Sequence, residues 1–145
     1  MKFKKLALAA LISTAILVSG CATHLSPGQE REYDTYESKG LIVKEKSVAL
    51  ASVLGVFPIV GYAYVGSPIL AVTSVLTWPF LGPIWMPIDV GLAAKNRNYY
   101  ATRDNVEREK RKALAEIDHR LEDKSLTYEQ HIREQRVIEA KYSAF

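Results

Sequence analysis

The chain has 145 residues, enough for one small domain, and 48% of them are hydrophobic. It carries 19 basic and 16 acidic side chains, and the excess comes from Lys2, Lys4 and Lys5, because residues 1–20 contain no acid. The remainder is therefore neutral, which excludes nucleic-acid binding through a basic surface. Cys21 is the only cysteine, so an internal disulfide is also excluded.

The first twenty residues have the organisation of a secretory signal. The basic start is followed by an apolar run from Leu6 to Val18, shorter than the roughly 20 residues of a membrane-spanning helix. The segment ends in Val18-Ser19-Gly20-Cys21, with the lone thiol directly after small residues. This tetrapeptide resembles the lipobox of bacterial lipoproteins. The alternative is an uncleaved N-terminal anchor with an incidental cysteine.

The resemblance to bacterial lipoproteins implies a lipid anchor at Cys21. In that family the signal is cut between the residues that match Gly20 and Cys21, and a diacylglycerol is joined to the sulfur as a thioether. The mature end carries three acyl chains, such as palmitate, and two or more chains hold a protein stably on a bilayer. Members kept in the inner membrane often carry Asp at the next position. Ala22 therefore favours the outer membrane of a Gram-negative cell, on its periplasmic side.

A polar segment, residues 21–46, follows the predicted lipidation site. The Ser-Pro-Gly sequence at 26–28 is a turn or linker signal. We expect 22–30 to be a flexible tether, because lipoproteins commonly have one after the cysteine. Residues 31–46 are predicted to form a short helix that is interrupted at Gly40.

The next segment, residues 47–94, is predicted to be an apolar helical hairpin in a mainly α protein. Residues 47–88 contain no charged side chain, over about twice the length of one membrane span. A turn signal at 64–68 separates two arms, 47–65 and 69–94. Small residues in both arms would let the helices approach closely, as membrane helix pairs do. Two tryptophans could lie at the level of the lipid headgroups: Trp78 and Trp85.

Prolines are expected to kink this hairpin. In the second arm they repeat at four-residue intervals: Pro79, Pro83 and Pro87. Each removes a backbone donor, so a regular helix should end near Trp78. Residues 78–89 would then be a kinked helix, a re-entrant piece or an interfacial turn, and Pro58 would kink the first arm. The alternative is that both arms are buried core strands or helices of a compact soluble domain.

The hairpin segment also carries a recognisable sequence pattern. Its residues are Lys46-Ser47, Ala49-Leu50-Ala51, Leu54-Gly55, Pro58, Gly61, Tyr64, Gly66, Leu76, Trp78-Pro79, Ile84-Trp85 and Ile88-Asp89. This pattern, over about 46–92, resembles the TM-two domain, a small module of two transmembrane helices. That family usually carries a charged pair just before the aromatic residue of its turn. Here residues 61–63 are uncharged. The resemblance implies a two-helix membrane module.

Charged residues flank the hairpin in a way that bears on its insertion. The turn of the hairpin contains no basic residue. The basic residues on its two sides are Lys39, Lys44, Lys46, Lys95, Arg97 and Arg103. With a lipidated Cys21 outside the inner membrane, a spanning hairpin there would oppose the positive-inside rule. The hairpin could dip into one leaflet, lie in the outer membrane, or pack on a partner. We favour shallow or hairpin insertion beside the lipid anchor.

The last segment, residues 95–145, is predicted to be a charged amphipathic helix–turn–helix. Apolar positions recur at helical spacing over about 102–122. Thr127 and Gln130 have the spacing of a capping box, which predicts a second helix from Tyr128 to about Tyr142. Residues 114–140 resemble the SHOCT domain through a set of matching residues: Asp123, Leu126, Thr127 and Gln130. Ser125 and His131 depart from that pattern. The resemblance implies oligomer formation, and a solvated amphipathic hairpin is the alternative.

Candidates for chemistry are few. The chain has three histidines, His24, His119 and His131, and they do not have the spacing of metal ligands on one element. We therefore predict no metal and no cofactor. No nucleophile–base arrangement or phosphate loop is present. Asp89 is the one candidate functional acid, because an ionisable residue in an apolar segment is a functional hypothesis. Its alternative role is to end the hairpin at the headgroup level.

Together these features favour a non-enzymatic, lipid-anchored envelope protein with a structural or protein-interaction role. Its expected partners are membrane lipid, through acylated Cys21 and residues 47–94, and another copy or an envelope protein through 100–142. The alternative is a small periplasm-facing lipoprotein domain that binds a lipid or another apolar ligand. The domain boundaries we predict are 1–20, 21–46, 47–94 and 95–145.

Overall fold

The computed structural model describes residues 24–79 and 82–144, which form six α-helices and no strand. The predicted mainly α fold is therefore confirmed. The chain divides into two compact units. The apolar unit contains Lys46–Arg97, and the charged unit contains Pro27–Glu45 and residues 98–144.

Helix α1, Pro27–Ser38, begins inside the segment that was expected to be a tether. Proline is tolerated there because the first helical position has no intrahelical partner for its N–H. The helix ends in a Schellman motif: the Gly40 N–H donates to Glu37 O at 2.9 Å and the Leu41 N–H to Tyr36 O at 2.9 Å. Gly40 has a φ of 69°, and the predicted break in the helix does lie at this glycine. The expected continuation of the helix over 41–46 was wrong, because no helix follows until Val48.

The first apolar arm is two short helices rather than one kinked helix. Helix α2 is Val48–Leu54, and α3 is Val60–Tyr64. The Ser47 hydroxyl caps α2 by accepting from the Leu50 N–H at 3.3 Å. Pro58 precedes Ile59, whose φ of 69° is left-handed and incompatible with a continuing helix. The Ile59 N–H donates to Ser74 Oγ at 2.9 Å, which holds the bend in place.

Helix α4, Pro68–Thr77, follows the predicted turn and ends where the prolines suggested. Gly66 in the turn has a φ of 71°, a conformation that glycine adopts without steric cost. Pro68 is the first helical residue, and Trp78 caps the end by donating its N–H to Ser74 O at 2.8 Å. The turn at 64–68 and the helix end near Trp78 are both confirmed.

Helix α5, Gly82–Glu122, is 41 residues long and contributes to both units. We predicted this helix only from Thr102, so the prediction of its start was wrong by about five turns. Pro83 is the second residue of α5, where its missing N–H costs nothing. Pro87 is the one proline inside the helix, and the chain stays helical through it. Residues 78–89 were expected to be a kinked helix, a re-entrant piece or an interfacial turn, and from Gly82 onward they are helical.

Helix α6, Tyr128–Tyr142, has the predicted bounds and the predicted cap. The Thr127 hydroxyl accepts from the Gln130 N–H at 3.3 Å, and Gln130 Oε1 accepts from the Thr127 N–H at 3.0 Å. Lys124 leaves α5 through a left-handed φ of 58°. Leu126, in the turn, is buried. The predicted helix–turn–helix is confirmed.

Two polar contacts fix the chain after α1 on the charged unit. The Lys39 ammonium donates to Ala140 O at 2.9 Å and to Ser143 O at 2.8 Å, which stabilises the carbonyl end of α6. The Val43 N–H donates to the buried Thr102 Oγ1 at 2.9 Å. The segment that follows α1 therefore packs with both α5 and α6.

Candidate functional site

Large apolar side chains cover the apolar unit. Fifteen of them are exposed among its described residues: Val48, Leu50, Val53, Val56, Phe57, Ile59, Val60, Ile69, Val72, Val75, Leu76, Trp78, Ile84, Trp85 and Ile88. We call these fifteen residues the apolar surface. Full burial of one such side chain is worth about 1.5–3 kcal/mol, and soluble monomers rarely expose a contiguous apolar patch of this kind.

The interior of the same unit combines four large residues, Tyr62, Val65, Met86 and Val90, with a greater number of small ones. The small buried residues are Ala51, Gly55, Gly61, Ala71, Ser74, Gly82, Gly91, Ala93 and Ala94. A Cβ on Gly55 would lie 2.8 Å from Pro87 Cα, and one on Gly61 would lie 2.7 Å from Gly55 Cα. The backbones of α2, α3 and α5 therefore touch at positions where only glycine fits.

Most large aliphatic side chains of the apolar unit therefore lie on its outside, unlike those of a water-soluble domain. Such a domain buries its large aliphatic side chains and leaves polar ones outside. Around four large buried residues, the apolar unit packs Ala, Gly and Ser inside and turns most of its Val, Ile and Leu outward. Helices in lipid pack in this way, because small residues allow close backbone approach and the acyl chains solvate the large ones. The chemistry of the apolar surface therefore fits lipid.

One end of the apolar unit carries two of its three basic residues, Lys46 and Arg97. The Lys46 ammonium lies 4.8 Å from the centre of the Tyr64 ring, whose hydroxyl accepts from the Ser47 N–H at 3.0 Å. The Arg97 guanidinium donates to Gly66 O at 3.2 Å. We call these five residues the collar. It joins the start of the unit, the α3–α4 turn and the last residue of the unit in α5.

The opposite end of the unit is aromatic and uncharged. It consists of Val56, Phe57, Trp78, Ile84 and Trp85, which we call the tip. The Trp78 indole N–H donates to Val56 O at 3.1 Å, so the bend after α2 is joined to the end of α4. A Cβ on Gly82 would lie 3.2 Å from Trp78 Cδ1, which brings the first residue of α5 to the same end.

Asp89, the predicted functional acid, lies in α5 between the collar and the tip. It is partly buried, and its Oδ2 accepts a 2.6 Å hydrogen bond from the Tyr62 hydroxyl. Tyr62 is only 2% exposed. Burial raises the pKa of Tyr62, and the hydrogen bond and negative charge of Asp89 raise it further. The pair joins α3 to α5, and a functional role for the Asp89 carboxyl stays a prediction.

A second carboxylate site lies in the charged unit and was not predicted. The two oxygens of Glu32 accept from the Tyr36 and Tyr99 hydroxyls, each at 2.9 Å. Burial raises the pKa of Tyr36 to about 12, and the hydrogen bond to Glu32 contributes. The pKa of Tyr99 is raised for the same reasons. The i,i+4 spacing of Glu32 and Tyr36 was a local signal, whereas Tyr99 is distant in sequence.

The turn between α5 and α6 brings two polar pairs together. His131 Nε2 lies 2.7 Å from Asp118 Oδ1, and Arg120 donates to Glu134 at 2.9 Å. Within the described ranges, His131 Nδ1 is a buried polar atom that has no hydrogen-bond partner. No group of three His, Cys, Asp or Glu side chains in the same ranges could hold a metal ion. These pairs join the two helices.

The predicted lipidation and cleavage residues, Gly20 and Cys21, lie outside the described residues. Within 24–79 and 82–144, no helix combines the length and apolar character needed to cross a bilayer. Comparison with protein-family models, with curated proteins and with solved structures gives no match to this chain. The resemblances to lipoproteins, the TM-two domain and the SHOCT domain therefore stay predictions.

Proposed function

We propose that this protein is a non-enzymatic component of the bacterial envelope that is attached to a membrane twice. The first attachment is the acylated Cys21, and the second is contact between the apolar surface and lipid. The charged unit then faces the periplasm and binds a partner. The outer membrane is the proposed location, because Ala22 follows the lipidated residue.

One observation carries the proposal of a second attachment: the apolar unit exposes fifteen large hydrophobic side chains among its described residues and fully buries only four, Tyr62, Val65, Met86 and Val90. In water this arrangement leaves most of the available hydrophobic free energy unused. In lipid it costs nothing, since the acyl chains surround the large side chains. The absence of charge from residues 47–88 removes the main cost of placing the segment in a bilayer.

Loss of the lipid anchor tests this proposal. An ordinary cleavable secretory signal replaces residues 1–20, and Cys21→Ser removes the acylated thiol. We expect the protein to remain in the membrane pellet after a carbonate wash, because the apolar surface still contacts lipid. A fully soluble protein would rule out the second attachment and favour a compact soluble domain.

Processing and location are tested on the unaltered chain. Inhibition of the lipoprotein signal peptidase by globomycin should cause the precursor to accumulate, because the lipobox directs cleavage before Cys21. Separation of inner and outer membranes should then place the mature protein in the outer fraction. A chain that is processed normally in globomycin would refute the lipoprotein assignment.

The charged unit is proposed to bind another copy of the chain or a second envelope protein. Helix α6 exposes Tyr128 and Val137, and large apolar side chains on a charged helix are suited to a partner surface. Single cysteines introduced at these positions should cross-link two copies of the chain. Cys21 would not interfere, because acylation occupies its thiol. A monodisperse monomer in detergent, with no cross-linked product, would contradict self-association.

A further inference from the structure

The distance between the collar and the tip is set by helix α4. This helix begins two residues after Gly66 of the collar and ends next to Trp78 of the tip. Its ten residues rise about 15 Å at 1.5 Å per residue. The hydrocarbon core of a bilayer is about 30 Å thick, so one leaflet contributes about half of that. The apolar unit therefore has the depth of one leaflet.

The apolar surface is continuous over this depth. Ile69, Val72 and Leu76 are 78%, 71% and 76% exposed, and their i, i+3, i+7 spacing puts them on one face of α4. Val53 on α2 and Ile88 on α5 are exposed as well. The exposed apolar side chains therefore extend from the collar to the tip and over several helices. A bilayer can cover all of them, whereas a single small ligand could not.

Charge gives this surface a direction. Lys46 and Arg97 lie in the collar, whereas the tip has no charged residue. Basic side chains are attracted to anionic phospholipid headgroups by about 1 kcal/mol each. The Trp78 indole N–H is already bonded to Val56 O, so this donor stays satisfied when the ring is placed among acyl chains. The favourable orientation has the collar at the headgroups and the tip in the hydrocarbon.

The path of the chain agrees with this direction. The continuous stretch Lys46–Arg97 of the apolar unit begins and ends with residues of the collar. The chain can thus enter and leave the unit on the same side of the leaflet. A lipid anchor at Cys21 would lie on that side too, so no charged segment has to cross the bilayer.

We propose that the apolar unit inserts tip first into a single leaflet, with the collar cations at the phosphate groups and α4 running along the bilayer normal. This inference rests on the proposed function, because it specifies how the second attachment is made. Its partner is the phospholipid bilayer itself. A helix pair that spans both leaflets and a unit that lies flat on the surface are the competing arrangements.

Depth measurements along α4 test the proposal. Three variants of the full acylated chain, Ile69→Cys, Val72→Cys and Leu76→Cys, each receive a nitroxide label in phosphatidylethanolamine–phosphatidylglycerol vesicles. We expect the label depth to increase in that order, by about 10 Å over seven residues. The exposure of the label to a water-soluble relaxing agent should decrease in the same order.

The competing arrangements give different depth profiles. Equal depth at all three positions would mean that α4 lies flat, and a depth that decreases toward Leu76 would mean that the tip points to water. Labelling of a Phe57→Cys variant by a membrane-impermeant thiol reagent inside the vesicles would mean that the unit spans both leaflets. Each of these results would overturn single-leaflet insertion.

A separate measurement distinguishes failure of this proposal from failure of the proposed function. Flotation of the same vesicles reports whether the protein is attached at all. Protein that floats but gives a flat or reversed profile refutes only the orientation. When Cys21→Ser also removes the protein from the floating fraction, the second attachment itself is refuted. Asp34→Cys, at an exposed position of α1 in the charged unit and outside the proposed partner surface, is the control and should stay fully accessible to water.

Discussion

At the scale of single residues, hydrogen bonds to carboxylates join helices that the chain does not connect locally. Asp89 accepts from Tyr62 in the apolar unit, and Glu32 accepts from Tyr36 and Tyr99 in the charged unit. A tyrosine hydroxyl that donates to a carboxylate is no longer an unsatisfied buried donor, and the hydrogen bond holds the two helices together when the partners lie on different helices. The sequence identified Asp89 as a residue of interest because of its apolar surroundings. Its partner is distant in sequence and had no local signal.

The Tyr62–Asp89 hydrogen bond should contribute measurably to stability. Tyr62→Phe keeps the ring and removes the hydroxyl that donates to Asp89. The partly buried carboxylate of Asp89 then loses this hydrogen bond. We expect the free energy of unfolding to decrease by about 1–3 kcal/mol. Denaturant unfolding in detergent measures it, with Tyr128→Phe on the exposed face of α6 as the control. Equal stabilities of the two variants would contradict the role assigned to this bond.

Alkaline pH should destabilise the charged unit through Tyr36. An unfolded tyrosine loses its proton near pH 10, whereas burial and Glu32 hold the pKa of Tyr36 at about 12 in the folded state. The unfolded state therefore loses the proton first. The stabilisation is complete below pH 10 and is lost as pH rises toward 12. Unfolding free energies measured across this range should fall less steeply in Tyr36→Phe. Identical slopes would refute the assignment.

At the scale of helices, backbone proximity explains why the apolar arms are broken into short pieces. Gly55 and Gly61 allow α2, α3 and α5 to touch, and a single straight helix over 47–65 could not make both contacts. Pro87 does not end α5, although prolines were the reason for expecting an irregular chain there. Local propensity rules identify a proline but do not say whether the surrounding helix continues through it.

Substitution of Gly55 should have a much larger effect than substitution of an unconfined helical glycine. A Cβ at Gly55 would lie 2.8 Å from Pro87 Cα and 2.9 Å from Met86 O, and both are backbone atoms. We expect Gly55→Ala to lower the unfolding free energy by about 1–3 kcal/mol, because the helices must separate. A Cβ at Gly28 in α1 would have no neighbouring atom within 4 Å, so Gly28→Ala should be neutral or slightly stabilising.

Thermal unfolding of these two alanine variants in the same detergent measures the difference. A comparable melting temperature for both would mean that α2 and α5 are not in close contact at Gly55. A loss of stability in Gly28→Ala alone would have the same meaning.

At the scale of the whole molecule, the chain combines a strongly apolar unit that has few charged residues with one rich in charge. The apolar unit exposes fifteen large hydrophobic residues, whereas the charged unit exposes three among its described residues: Tyr100, Tyr128 and Val137. This contrast places the expected lipid contact in one unit and the expected protein contact in the other. Lipid favours the exposed aliphatic side chains of the apolar unit, whereas water favours the charged side chains of the other unit.

A single charge on the apolar surface should weaken the second membrane attachment. Leu76→Lys puts an ammonium group on an exposed position of α4, and lysine in a helix centre costs about 2.5–3.5 kcal/mol on insertion scales. In the Cys21→Ser background we expect a large loss of protein from the carbonate-washed pellet. Val137 is similarly exposed, at 67%, but lies in the charged unit, so Val137→Lys should not change the pellet fraction. Equal loss in both variants would argue against a specific lipid contact.

The sequence by itself determined the mainly α class, the turn at 64–68, the end of α5 and the capped helix α6. These follow from local rules: helical periodicity, a left-handed glycine and a capping box act over a few residues. Tertiary structure alone decided which large side chains face outward, that α5 continues through Pro87, and that Glu32 meets Tyr99. Such features depend on contacts between residues that are far apart along the chain, and local sequence carries no information on which distant backbone or side chain will be adjacent.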